Sequence, residues 1–518
     1  MLKRIGIMML VLLLSLTVIV TPSSAGALKP RESAAPPGTW FAGDEPSNGS
    51  TDKPVLLFVH GLNGASTTWY ENNNMYQTAL NNGYHTAFIE LYGTKNMWDN
   101  GNLLAQKLPE ISNHFGKRIV IVAHSKGGLD SQAALTHYNA HQYVSNVITL
   151  GSPHHGSQLA DLAYSSWAGW LGSILGQKND ATYSLQTSYM RHFRSITDGH
   201  SNINRNTYYT LGGTKRDSFG TGLYFGHLYL SQFGSNDGAV TLTSSQLPTG
   251  RTIRNDSWTH NTIKTGNIFQ WFRPYLTINR SSTNEFVESD FNLSASISLP
   301  KEENVEDSMG EFLLRGGLFD GEVKESFMVE KEASNIMIDW ISAAPVDSLE
   351  LIGPNNKVHK VEVNSYQDDF MFDGAWHNVM TVKNPKHGEW TIKSSSAKEN
   401  AYLLTVQFDS KLNKKIKVKE NKKNQHWSLD LEEPSVQKNK MKMSYSVDFI
   451  ADPSVSGKKK EVNIKTVEQQ GSTSIQLPEK LEEGVYNITI DVSSEEASNE
   501  FQRTIIKSIY VDKNGNVY

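Results

Sequence analysis

Arg118-Ile119-Val120-Ile121-Val122-Ala123-His124-Ser125-Lys126-Gly127-Gly128 is the stretch from which the rest of the chain can be read. An apolar, β-branched run ends abruptly at a serine. Small residues flank that serine, and a helix-like segment follows. A strand buried on both faces that runs straight into a tight turn holds the serine Oγ out above the end of a sheet. Position 123 must then be small because it lies under the turn. Gly127 must be small so that the following helix can pack closely against the strand.

The flanking sequence repeats this strand–turn–helix rhythm. Val55–Val59, His85–Leu91, Ile119–Ala123 and Val147–Leu150 read as buried strands, and Tyr70–Asn82, Trp98–Phe115 and Gly128–Tyr138 as helices. Two-sided apolar strands alternating with helices predict a mostly parallel α/β sheet covered by helices. In such sheets ligands bind outside the carboxyl ends of the strands, where Ser125 and the loops discussed below all fall.

The usual elbow pattern opens with glycine; here Ala123 takes that place. The Ala-His-Ser-x-Gly form resembles secreted bacterial lipases of the α/β-hydrolase family. The resemblance covers roughly Pro54–Leu276. It implies an α/β-hydrolase fold and a carboxylic ester hydrolase (lipase or esterase) working through an acyl-enzyme. A serine hydroxyl is a weak nucleophile at neutral pH, so it needs a base, an orienting carboxylate and donors for the oxyanion, supplied in this fold in the chain order serine, acid, histidine. His260 is the expected base. It sits in the polar loop Asn255–Asn261, after a short strand-like Arg251–Arg254 and before the amphipathic Ile263–Leu276. Asp237 is the expected acid, in the turn-forming Gly234-Ser235-Asn236-Asp237-Gly238, and similar Asn/Ser-Asp-Gly-x-Val stretches carry the acid in the resembled lipases. Asp256, Asp217 and Asp198 are weaker candidates. The expected oxyanion donors are the backbone N–H of Lys126, at a helix start, and, by resemblance, that of Leu62 after His60-Gly61. The Lys126 side chain reads either as a surface ion pair or as a group steering an anionic substrate. His154 and His155, in Gly151-Ser152-Pro153-His154-His155-Gly156-Ser157, precede the acid and read as pocket-lining or structural.

The chain has 518 residues, enough for about three domains of roughly 150 residues. Its net charge of −5 points to no nucleic-acid partner, and the absence of cysteine excludes disulfides, zinc–thiolate sites and thiol catalysis. Lys3 and Arg4, the apolar Ile5–Val20 and the small-residue sites around Ala25 and Ala27 read as a secretory signal peptide over residues 1–27. The expectation is a secreted protein, monomeric, with lipid or another ester as substrate. No cofactor is called for. No metal-ligand cluster stands out, and no residue marks a structural calcium.

After the fourth strand, Leu159, Leu162, Ala163, Trp167, Trp170, Leu171, Ile174 and Leu175 make an apolar stripe at helical spacing. A core helix and a mobile lid that meets lipid fit the stripe equally well. Near Thr277 helical periodicity gives way to short alternating runs: Ile336–Trp340, Val346–Ile352, Val358–Val363, Asn378–Val382, Glu389–Lys393 and Ala401–Phe408. These predict two all-β units, a β-sandwich over 277–412 and an immunoglobulin-like unit over 413–518, after a hydrolase domain over 28–276. Asn384-Pro385-Lys386-His387-Gly388-Glu389-Trp390 resembles a turn of secreted bacterial accessory domains. Lys411–Gln425 holds seven lysines and one glutamate and reads as a linker, a solvated edge or a polyanion patch. Two further functions stay open on the sequence: a polyester (polyhydroxyalkanoate) depolymerase, and a surface-binding protein whose β units contact a cell surface or polymer while the hydrolase is vestigial.

Overall fold

The apolar runs become strands because both of their faces are covered. The computed structural model describes residues 35–49, 52–278 and 310–518, apart from 424–425, 433, 435, 453–460, 471–473, 477–480 and 497–499. The expected signal peptide lies outside these residues. The first sheet takes Trp40–Ala42 (β1), Val55–Val59 (β2), Thr86–Ile89 (β3), Ile119–His124 (β4), Val144–Leu150 (β5), Thr207–Gly213 (β6) and Arg251–Asp256 (β7), in the order β1-β3-β2-β4-β5-β6-β7. From β3 to β7 every neighbour is parallel, and every residue of β2, β3, β4 and β5 is buried. Each large aliphatic side chain withdrawn from water in this way contributes roughly 1.5–3 kcal/mol.

Two of these strands correct the sequence reading. The segment rich in Pro, Ser and Gly before Asp52 reads from its composition as an extended lead-in, yet Trp40–Ala42 pairs antiparallel with Ala87–Ile89 and closes that edge of the sheet. The polar Thr207–Gly213 supplies β6, which hydrophobicity alone does not reveal. The helices are Met75–Asn81 (α1), Met97–Phe115 (α2), Gly127–Thr136 (α3), Gln158–Ala163 (α4), Gly169–Ile174 (α5), Asp180–Ser184 (α6), Thr187–Thr197 (α7), Gly222–Leu230 (α8) and Phe269–Phe272 (α9). The amphipathic Ile263–Leu276 is helical only in pieces, 3-10 turns on either side of α9. The apolar stripe 159–175 is likewise no single helix. It breaks between α4 and α5, burying Leu159, Leu162 and Leu171 but leaving Trp170 53% and Ile174 55% exposed.

Beyond residue 310 the chain is all antiparallel β. Its strands are Phe312–Val329 (β8), Ala333–Ser342 (β9), Ser348–Ile352 (β10), Asn364–Gln367 (β11), Trp376–Lys383 (β12), Gly388–Ser410 (β13), Lys417–Lys423 (β14), His426–Glu432 (β15), Met441–Ala451 (β16), Glu461–Gln470 (β17), Ser474–Gln476 (β18), Gly484–Ser494 (β19) and Phe501–Val511 (β20). The two runs expected at Glu389–Lys393 and Ala401–Phe408 are one strand, β13. Its register shifts between Ser396 and Asn400, so that its first part pairs with β10 and its second with β9, while β8 runs along both. Val358–Val363 is not a strand; only Val358 bridges to Ile352. The lysine-rich segment forms the edge strand β14 of a β14-β15-β18 sheet, and β17-β16-β19-β20 is the last sheet.

The two regions are not beads on a string. One buried apolar cluster joins Leu171, Tyr183, Tyr189 and Phe225 of the hydrolase helices to Phe312, Ile341, Phe372, Ile506 and Tyr510 of the β region. Polar groups are interleaved. The buried Asp161 carboxylate accepts the Ser508 hydroxyl at 2.9 Å and the Thr187 hydroxyl at 2.7 Å, and the indole N–H of Trp167 donates to Asp491 Oδ2 at 3.0 Å.

Within the β region a fully buried His377 lies between two carboxylates, with Nδ1 2.6 Å from Asp339 Oδ2 and Nε2 3.0 Å from Asp368 Oδ2. Burial alone would push this imidazole down; the two carboxylates outweigh it and hold it up at about 10. A folded-state value above the unfolded 6.5 means that the stabilisation is complete below about pH 6.5, shrinks as pH rises, and is gone above about 10. His377→Asn should therefore cost about 3–5 kcal/mol below pH 6.5. The gap between variant and parent should narrow towards pH 10, measured as Tm across that range.

Candidate active site

The tip of β4 carries the strain that an elbow requires. Ser125 has φ 52°, a left-handed value rare for a residue with a Cβ. It is held there from both sides. Its N–H donates to Leu150 O at 3.0 Å, and Gly61 lies so close that a Cβ there would come within 2.8 Å of Ser125 Cβ. A Cβ on Gly127 would collide with the main-chain carbonyls of Val59 and His60, which is why α3 can start so close to β2.

The neighbouring strand ends are made of glycine for the same reason. Gly151, after β5, has φ 58°, and a Cβ on it would come 2.9 Å from Asp237 Oδ2 and 3.3 Å from His260 Nδ1. A Cβ on Gly213, at the end of β6, would lie 2.9 Å from Asp237 Cβ. These bare strand ends make room for the two loops that carry Asp237 and His260. His260 Nδ1 lies 2.8 Å from Asp237 Oδ2, and His260 N–H donates to Asp237 O at 2.8 Å. A carboxylate only accepts, so the imidazole carries its proton on Nδ1 and presents a bare Nε2 on its other side. The other carboxylate oxygen, Oδ1, takes the N–H groups of Ala239 (3.0 Å) and Val240 (2.8 Å), so the turn chemistry of Asn236–Val240 fixes the Asp237 carboxylate in place. Ser125 and His260 thus share one rim of the sheet, and among the described residues no hydrogen bond joins Ser125 Oγ to His260.

The rival carboxylates are engaged elsewhere. Asp256 Oδ2 receives Arg254 Nε at 2.9 Å and Nη2 at 2.6 Å, and Asp198 pairs with Arg194 at 3.1 Å. Among the described residues neither the Leu62 N–H nor the Lys126 N–H donates to a protein acceptor. The Lys126 side chain is neither a surface pair nor a steering group: it is buried, with Nζ 2.7 Å from the buried Asp130, whose other oxygen accepts from Asn100 at 3.0 Å. Burial raises the Asp130 carboxyl, and the adjacent ammonium opposes that rise. His154 is completely buried against Thr149 Oγ1 at 3.3 Å and is held neutral chiefly by burial, so it is structural rather than pocket-lining.

Two positioning histidines escaped the sequence reading. His124 lies beside the serine in the motif, and its Nε2–H donates to the carbonyl of His260 at 2.9 Å with the two rings 4.5 Å apart. Burial, followed by the neighbouring His260, keeps it well below the usual histidine range and hence neutral. His60 closes the loop that holds Leu62: Nδ1–H meets Gly61 O at 2.9 Å and Nε2 accepts Leu91 N–H at 3.0 Å. Burial, the largest influence on it, lowers His60 too. A histidine next to Ser125 and one at the end of β2 are both visible in the sequence; what they hold depends on residues 136 and 31 positions away.

The centre is covered. Ser125 is 9% and His260 2% exposed. The cover comes from the loop between β11 and β12, whose Phe370 ring stands edge-on to the His260 ring at 5.8 Å and whose Asp369 Oδ1 accepts Gly222 N–H at 2.8 Å. Among the described residues no group of three or more His, Asp or Glu is placed to hold a metal ion, and no helix is long and apolar enough to cross a membrane.

A mostly parallel sheet with a strained serine at the tip of a central strand, followed by antiparallel β sheets, defines an α/β-hydrolase. Residues 50–210 match the family model described as a PGAP1-like alpha/beta domain. The chain is 39% identical to the lipase BlEst2 of Bacillus licheniformis in propeptide form, over 93% of this chain and all of that one, with a TM-score of 0.78. It belongs to that lipase family. The same lipase in mature form is 54% identical over 47% of this chain and all of that one (TM-score 0.45). The metagenomic carboxyl esterase MGS0156 is 19% identical over 44% and 77% of the respective chains (TM-score 0.38). No curated protein sequence matches.

Removing the His124 imidazole leaves the carbonyl of His260 without its donor. His124→Ala should cost about 1–3 kcal/mol in urea unfolding. It should also lower kcat for a short ester more than it changes KM.

Proposed function

We propose that this lipid ester hydrolase works through a Ser125–His260–Asp237 triad and an acyl-enzyme. Ser125 Oγ attacks the ester carbonyl as His260 Nε2 takes its proton, and the ester C–O bond breaks as that proton passes to the leaving alcohol. Water, deprotonated by the same imidazole, then attacks the acyl-enzyme, and the proton returns to Ser125. Asp237 keeps Nδ1 protonated and stabilises the imidazolium formed at each step. The N–H groups of Lys126 and Leu62 receive the oxyanion, an interaction typically worth roughly 10²–10³ in rate per donor. The observation that carries this reading is the 2.8 Å His260–Asp237 contact on the same rim as the strained Ser125. The two free backbone donors support it. The family tie to a lipase leaves a polyester depolymerase or a vestigial hydrolase without comparable support.

Two further points belong to this reading. The basic, apolar and small-residue sequence at the N-terminus supports action outside the cytoplasm. The Bacillus lipase is described in propeptide form, and here the β11–β12 loop covers His260; we take the β region to be a segment that holds the centre shut until it is removed.

The test is hydrolysis of p-nitrophenyl esters by the purified full chain, before and after limited proteolysis that separates the β region. Ser125→Ala should lower kcat by on the order of 10⁶ and Asp237→Asn by on the order of 10⁴. Unchanged turnover in Ser125→Ala would sink the assignment. Limited proteolysis that separates the β region should raise turnover, with the cut located by mass spectrometry.

A further inference from the structure

We infer that Phe370 occupies the position of the ester's own apolar chain, and that Leu223, Ala239 and Val240 are the wall that selects that chain. This rests on the ester-hydrolase reading above. An imidazole that deprotonates Ser125 and then protonates the leaving oxygen must have substrate within hydrogen-bond reach. A ring packed at 5.8 Å against the His260 ring therefore stands in space that substrate has to enter.

The same ring has a second contact. Leu223, Ala239 and Val240 form a small buried cluster of their own, separate from the larger cores, and Phe370 is the partly buried residue packed against it. Two of the three belong to the acid loop. The N–H groups of Ala239 and Val240 hold the Asp237 carboxylate, so this apolar surface is rigidly registered to the acid and, through it, to His260. An apolar patch fixed beside a catalytic base and buried by a foreign side chain has the composition of a ligand wall. A fully buried aromatic side chain withdraws about 150–250 Å², an upper limit for the partly buried Phe370. At roughly 30 Å² of apolar surface per methylene, that limit corresponds to roughly five to eight methylenes. The chemistry that fits is a medium-length alkyl chain rather than an acetyl group.

The loop that delivers Phe370 is held from both sides. Asp368, fixed by the buried His377, accepts Phe370 N–H through its other oxygen at 2.6 Å, and its own N–H donates to Ala375 O at 2.7 Å. On the hydrolase side Gly222 donates to Asp369, and a Cβ on Gly222 would come within 3.0 Å of Phe370 Cβ. Glycine at 222 is what allows the two backbones to meet.

The test compares p-nitrophenyl octanoate with p-nitrophenyl acetate on the full chain, read as the ratio of their kcat/KM values. Phe370→Ala vacates the wall and should raise the octanoate-to-acetate ratio by on the order of tenfold. Val240→Phe fills the wall from the acid loop, on the side that Phe370 packs against, and should lower that ratio by a similar factor; it also stands as an independent test should Phe370→Ala not fold. Ser125-dependent acetate turnover with a ratio that neither substitution moves overturns the inference and leaves the ester-hydrolase reading standing. Acetate turnover that survives Ser125→Ala overturns both, since the wall would then have no reaction to serve.

Discussion

The left-handed backbone at Ser125 is the constraint around which the hydrolase region is arranged. A non-glycine residue at φ 52° is costly, by about 1–3 kcal/mol, and persists only where its surroundings leave no alternative. Those surroundings are the ends of three adjacent parallel strands. Leu150 fixes the serine's N–H, Gly61 crowds its Cβ, and Gly127 lets the next helix begin against β2. The bare strand ends at Gly151 and Gly213 then admit Asp237 and His260. The strain at Ser125 and the placement of Asp237 and His260 are consequences of one choice: small residues wherever chain must approach chain at the carboxyl edge of the sheet.

Much of this was legible in the sequence because it depends on local pattern. Apolar, β-branched runs located β2, β3, β4 and β5, and turn chemistry located the loop that carries Asp237. What escaped depends on distant chain. β6 is Thr207–Gly213, polar enough to look like loop, and it is a strand because β5 and β7 flank it. β13 looks like two strands because Ser395–Glu399 interrupts the alternation, yet β8 pairs continuously enough on either side of the shift to keep it one. Lys126 reads as a surface residue until Asp130, one helical turn on, is seen buried with it. His124 and His60 gain their roles only from partners on other loops.

The β region meets the hydrolase through a surface of mixed character. The apolar cluster that includes Tyr183, Tyr189, Phe225 and Tyr510 gives the contact its area. Asp161, Ser508, Trp167 and Asp491 cross it with hydrogen bonds. Such interleaving is typical of interfaces between parts that also tolerate separation, whereas the centre of a single domain is drier. The covering loop follows the same logic on a smaller scale. One aromatic side chain supplies the contact, and a backbone donor on each side sets its register.

The short strand β1 sets a limit on how far the front of the chain can be trimmed. Its three residues saturate the outer row of main-chain donors and acceptors on Ala87–Ile89. A protein shortened past Trp40 would carry that row bare along a buried, apolar strand, a template onto which a second molecule could add its own backbone. Loss of those few residues would be felt first as self-association, well before any change in the chemistry at the opposite edge of the strands.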